Sequence, residues 1–134
     1  VTVVQEACPM WVPLIEANEH NKPGAGYFIK QHISNIFSKS DQIDTLLLAC
    51  THYPLLKDAI AQLLPAGVNL LSQGQIVADS LFDYLQRHPE IDAACSKNGQ
   101  LRFFTTDSTE DFDNHASNFF GRAVKSEHLD LEAT

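Results

Sequence analysis

Cys50, Thr51 and His52 place a thiol, a hydroxyl and an imidazole on three consecutive residues within Leu46 to Pro54, LLLACTHYP. A thiolate is a nucleophile and a base, and a thiol is an acid whose strength the surroundings can tune. An imidazole two residues away exchanges protons near neutral pH. The string therefore suits proton transfer or covalent chemistry on a small molecule. Taken alone the signal is weak, because a cysteine after an apolar strand is more often a small core residue.

The elements around the string give it weight. Asp44 to Ala49 (DTLLLA) is an apolar run between turn signals, as expected of a central parallel strand covered on both faces. Pro54 then predicts a helix through about Leu64, since proline is favoured in the first turn. Ligands of parallel α/β sheets sit beyond the carboxyl ends of strands, where Cys50 falls. The N–H groups of the following helix would favour a thiolate or hold a substrate carboxylate.

Elsewhere, Val1 to Ala7 reads as a strand, Met10 to Asn18 as a short helix and Asn21 to Gly26 as a loop. Tyr27 to Ser38 predicts a helix with Phe28, Ile29, His32, Ile33, Ile36 and Phe37 on one face. Val68 to Leu71 and Leu101 to Thr105 read as strands, and Gly74 to Arg87 as an amphipathic helix. Asp107 to Glu110 caps a helix ending before Gly121, and Glu127 to Leu131 is a candidate last strand. His88 to Gln100 is a polar break. Alternating strands and helices indicate an α/β fold with a largely parallel sheet.

The bulk properties fit a folded domain. Of 134 residues, 44% are hydrophobic and 19% charged, a globular composition. The net charge of -8 gives no electrostatic support to a nucleic-acid or anionic-membrane partner. No apolar run approaches the roughly 18 residues of a membrane span. Cys8, Cys50 and Cys95 are odd in number and lack CxxC spacing, which points to a reducing, cytoplasmic setting. The chain opens at Val1, inside what reads as a strand, so it is expected to be cut from something longer.

LLLACTHYP resembles the second catalytic motif of the glutamate racemases, within the aspartate/glutamate racemase superfamily. EACPMWVPLIE (Glu6 to Glu16) is similar to the block that precedes it there, and SQGQIVADSL and FFTTDS fit the C-terminal part. The resemblance implies a three-layer parallel-sheet α/β lobe, incomplete here, and interconversion of L- and D-glutamate without pyridoxal phosphate or metal. Two cysteines would act on opposite faces of the α-carbon, with Cys50 matching the second. Thr51 and His52 would bind substrate, His52 would also assist Cys50, and Glu16 would support His52. The product would be D-glutamate for peptidoglycan, and hence cell-wall biogenesis and cell shape.

The family's first cysteine and its aspartate-serine motif have no match in the chain. Cys8, before a proline, and Cys95, in a polar stretch, are not substitutes for that cysteine. The chain looks like a C-terminal half, with residues 1–72 carrying the Cys-Thr-His motif and 73–134 returning toward an N-terminal lobe. A homodimer is expected at full length. The alternatives are an aspartate or hydantoin racemase relative, or a non-catalytic module in which Cys50, His52 and Glu16 hold a metal.

Overall fold

The computed structural model describes residues 1–131, which form an α/β structure. It divides into two compact units, Val1–Phe82 and Asp83–Thr134. Each is built on a βαβ crossover between two parallel strands.

In the first unit, β1 (Thr45–Leu48) pairs in parallel with β2 (Asn69–Ser72), in the register Thr45↔Asn69 to Leu48↔Ser72. The connection carries a 3₁₀ turn (Tyr53–Leu56) and the short helix α3 (Lys57–Ala61). Two further helices precede the sheet, α1 (Trp11–Glu16) and α2 (Pro23–Phe37). The helix α4 (Gln73–Arg87) follows β2, and the boundary between the units falls within it.

The core of this unit joins Cys8, Trp11, Ile15, Ile29, Ile33, Leu46, Leu48, Leu56 and Ile60. Trp11 and Ile15 are four apart on α1, and Ala25, Ile29 and Ile33 repeat at the same spacing on α2, so each helix buries one stripe. Along β1 burial alternates: Leu46 and Leu48 are buried, whereas Leu47 is 51% exposed. The expectation of a strand covered on both faces is thus corrected. Within the described residues only one face of β1 is packed, and Leu71, opposite Leu47, is also exposed.

In the second unit, β3 (Phe103–Thr105) pairs in parallel with β4 (Ser126–His128) through α6 (Thr109–Phe120). Ser108 caps α6 by accepting the Asp111 N–H, and Gly121 ends it with φ 72°, a left-handed conformation suited to glycine. Asp113 fastens the strand by accepting the Ser126 N–H at 2.8 Å. A six-residue helix, α5 (Pro89–Ala94), occupies part of the expected polar break. Pro89 and the acidic Glu90 and Asp92 suit a helix start, but the segment has no apolar stripe to announce it.

Other expectations change for identifiable reasons. Val1 to Ala7 is not a strand, because β-branched residues make a strand only where a neighbour completes the ladder; among the described residues none does. Pro23 to Gly26 is the first turn of α2 and not a loop; Pro23 at the helix start outweighs the glycines. The helix expected from Pro54 to Leu64 is the 3₁₀ turn followed by five α-helical residues.

In place of strand pairing, the N-terminal segment is held by a polar clamp. The Glu6 carboxylate accepts from His32 Nδ1 at 2.9 Å, Asn35 Nδ2 at 3.1 Å and Lys39 Nζ at 2.6 Å. Lys39, with His32 and Asn35 beside it, lowers the Glu6 carboxyl from its ordinary 4.5 to about 2. A lowered folded-state pKa contributes stability that is complete above about 4.5 and lost as pH falls toward 2. Glu6→Gln will therefore lower the thermal midpoint at pH 7. The gap to the parent chain will shrink as pH falls from 4.5 to 2, read by circular dichroism melts across that range.

Among the described residues, no helix is long and apolar enough to cross a membrane.

Candidate active site

Two segments distant in sequence build the site. The turn after β1 carries Cys50, Thr51 and His52, and the C-terminal end of α1 carries Glu16. The turn is closed by its own backbone: Tyr53 N–H donates to Cys50 C=O at 3.3 Å, and Leu55 N–H to His52 C=O at 3.1 Å. Pro54 lies inside the 3₁₀ turn, where its missing N–H costs nothing. The helical piece beyond is short, so little axial dipole is available to Cys50. The chemistry falls to the neighbouring side chains.

His52 stands between the other groups. Its Nε2 is 3.2 Å from Glu16 Oε1, and its Nδ1 is 4.0 Å from Cys50 Sγ and 3.4 Å from Thr51 Oγ1. A carboxylate can only accept, so Nε2 carries the hydrogen given to Glu16. Nδ1 is then the acceptor, turned toward the thiol and the hydroxyl. Accepting from Nε2, Glu16 fixes this tautomer and the orientation of the ring. The site is open: Glu16 and Thr51 are exposed, and Cys50 and His52 are half-buried. All four residues singled out from the sequence are thus brought together.

Beneath the turn lies Tyr53. Its ring meets Trp11 edge-to-face with centroids 4.9 Å apart, and its hydroxyl donates to the Cys8 C=O at 3.5 Å. The same carbonyl accepts the backbone N–H of Trp11 at 3.1 Å. Burial, with the Cys8 and Cys50 thiols nearby, raises the Tyr53 phenol above its usual range. Sequence reasoning passed over Tyr53, although its place next to His52 was a usable signal. The sequence places His32 with the apolar residues of one helix face. His32 in fact binds Glu6 and sets its ring edge-on to Trp11 at 5.9 Å.

Cys8 and Cys95 stand apart from this chemistry. Cys8 belongs to the core, and burial pushes its thiol up to about 11. Cys95 is exposed in the second unit. Iodoacetamide at pH 8 will therefore label Cys95 in the native chain and leave Cys8 unmodified until denaturant is added, as read by peptide mass spectrometry. Among the described residues, no group of three or more His, Cys, Asp or Glu is arranged to hold a metal ion.

No family model matches the chain. Individual proteins do. The glutamate racemase of Lactiplantibacillus plantarum is 31% identical over 131 residues, which is 97% of this chain and 47% of that protein. The glutamate racemase of Streptococcus mutans is 34% identical over 125 residues, 93% of this chain and 46% of that protein. In three dimensions the whole chain superposes on 49% of glutamate racemase isoform RacE1 from Bacillus anthracis, with a TM-score of 0.82 and 29% identity. The Francisella tularensis glutamate racemase, solved in complex with D-glutamate, gives a TM-score of 0.78 at 25% identity, covering 96% of this chain and 47% of that one. The chain spans about half the length of the curated relatives it matches, the C-terminal half.

Proposed function

We propose that this chain, homologous to the C-terminal half of the glutamate racemases and sharing their α/β fold, supplies one of two proton-transferring thiols to an enzyme that interconverts L- and D-glutamate. The observation that carries the reading is the line Cys50–His52–Glu16, assembled on the motif that resembles the racemase signature.

In this reading His52 Nδ1 takes the Cys50 proton, and Glu16 balances the imidazolium. The thiolate then removes the α-proton from one face of the amino acid, and a second thiol returns a proton to the other face. In the reverse direction Cys50 is the donor. Cys8 cannot be the second thiol, because it is buried and strongly disposed to stay protonated. We assign that role to a cysteine of the other half of the protein, with residues 73–134 returning toward it. Thr51 and His52 hold the substrate beside Cys50. An α-proton is weakly acidic, so the site must stabilise the developing carbanion by electrostatics and exclusion of water, with the lobes closed around the substrate.

No cofactor or metal enters the proposed reaction. A cytoplasmic enzyme of this kind, dimeric at full length, would supply D-glutamate to peptidoglycan and so to cell-wall growth and cell shape. An assay of glutamate, aspartate and hydantoin enantiomers with the full-length protein tests the substrate. Racemisation of glutamate at a kcat/KM at least ~10-fold above that of aspartate is expected; a preference for aspartate would overturn the assignment.

A further inference from the structure

We infer that Tyr53 is the positioning residue of the site, and that its ring, wedged against Trp11, sets where His52 meets Glu16 and Cys50. The inference deepens the reading of those three residues as one functional line. It stands on how the two halves of the site are joined.

Glu16 sits on α1 and His52 on the turn after β1, 36 residues apart. Their ion pair is half-exposed, and such pairs hold geometry weakly. A packed connection between the same elements is the contact of Tyr53 with Trp11, beside Ile15 and Leu56 of the same core cluster. Trp11 is 3% exposed and lies on the same helix as Glu16; Tyr53 is covalently adjacent to His52. Edge-to-face aromatic pairs have a defined geometry, and here the backbone of Trp11 and the hydroxyl of Tyr53 meet at one carbonyl. The Cys8 carbonyl receives the backbone N–H of Trp11 at 3.1 Å and the Tyr53 O–H at 3.5 Å. Ahead of Cys8, Glu6 ties the chain to α2 through His32 and Asn35, and to Lys39 just beyond it. The imidazole of His52 therefore approaches Glu16 from a fixed base.

Ring and hydroxyl can be separated by substitution. Tyr53→Phe keeps the ring; Tyr53→Leu and Tyr53→Met remove it. The readout is the rate of Cys50 alkylation by iodoacetamide at one pH in the 134-residue chain, by mass spectrometry, relative to exposed Cys95. No turnover is required, so a failure of the racemase reading and a failure of this inference are distinguishable. Glu16→Gln is expected to slow Cys50 alkylation by at least about threefold, within the coupling of residues in one network. The same factor is expected in the Tyr53→Phe background. In Tyr53→Leu and Tyr53→Met it should collapse to about one, with Cys8 still protected as the sign of an intact core.

Any one of four results would overturn the inference. The factor could persist without the ring, or vanish with Tyr53→Phe. It could be absent in the parent chain. Finally, Cys8 could become reactive in both Leu and Met variants, which would make Tyr53 a support of the fold and not of the site.

Discussion

Replacing Cys50 by serine in the full-length protein will lower glutamate racemisation by ~10³-fold or more, toward the upper range for loss of a general acid or base. The serine oxygen takes the sulfur's place, but a hydroxyl is too weak an acid to supply a base at neutral pH. His52 keeps its place in the variant, with Nδ1 directed at residue 50 and Nε2 engaged by Glu16. The fold will be spared. Cys50 lies outside the core cluster and is half-buried, so the expected stability change stays within about 0.5 kcal/mol. KM is expected to move far less than kcat, since Thr51 and His52, the residues proposed to hold substrate, are kept in the variant. Steady-state kinetics in both directions, with melting curves of each variant, check these statements together.

The largest effect on stability is expected at Ile60. Ile60→Ala will destabilise the first unit by about 2–5 kcal/mol, the range for deleting a buried isoleucine side chain. Ile60 is 0% exposed and belongs to the core cluster with Ile29, Ile33, Leu46 and Leu48. It is also the anchor of α3, a helix of only five residues that cannot persist by its own propensity. The cavity would therefore loosen the crossover that follows the Cys50–His52 turn. Ile76→Ala on α4, where the side chain is half exposed, should cost about 0.5 kcal/mol or less. Urea unfolding of the two variants gives the comparison.

These two residues mark what the sequence made legible. Cys50, Thr51 and His52 are adjacent, and an apolar strand followed by a proline-started turn places them at a strand end without tertiary information. Ile60 could be read as apolar but not as the most buried residue of its unit, since burial depends on what α2 brings to it. Glu16 was assigned by resemblance alone, as no local pattern reaches across 36 positions to His52. The Glu6 clamp was missed for the same reason. Its partners lie 26 to 33 residues away on α2 and just beyond it.

The errors also have physical causes. Val1 to Ala7 has strand composition, but strand formation is a property of pairs. Leu47 fits a doubly covered strand by its type, yet only one face of β1 is packed within the described residues. A continuous apolar run reports what a strand can bury, and not whether the second layer belongs to the same stretch of chain. The α5 helix is too short and too polar to show a period.

The central claim, that Cys50 is one of two thiols acting on opposite faces of glutamate, is tested most directly by solvent deuterium exchange. The full-length protein and its Cys50→Ser variant are incubated separately with D- and L-glutamate in D₂O, and loss of the α-proton signal is followed by NMR. The account predicts exchange with both enantiomers for the parent. In the variant, exchange that depends on Cys50 as the base is lost for one enantiomer, and racemisation is lost in both directions. Unimpaired exchange of both enantiomers by Cys50→Ser, with racemisation intact, would contradict it.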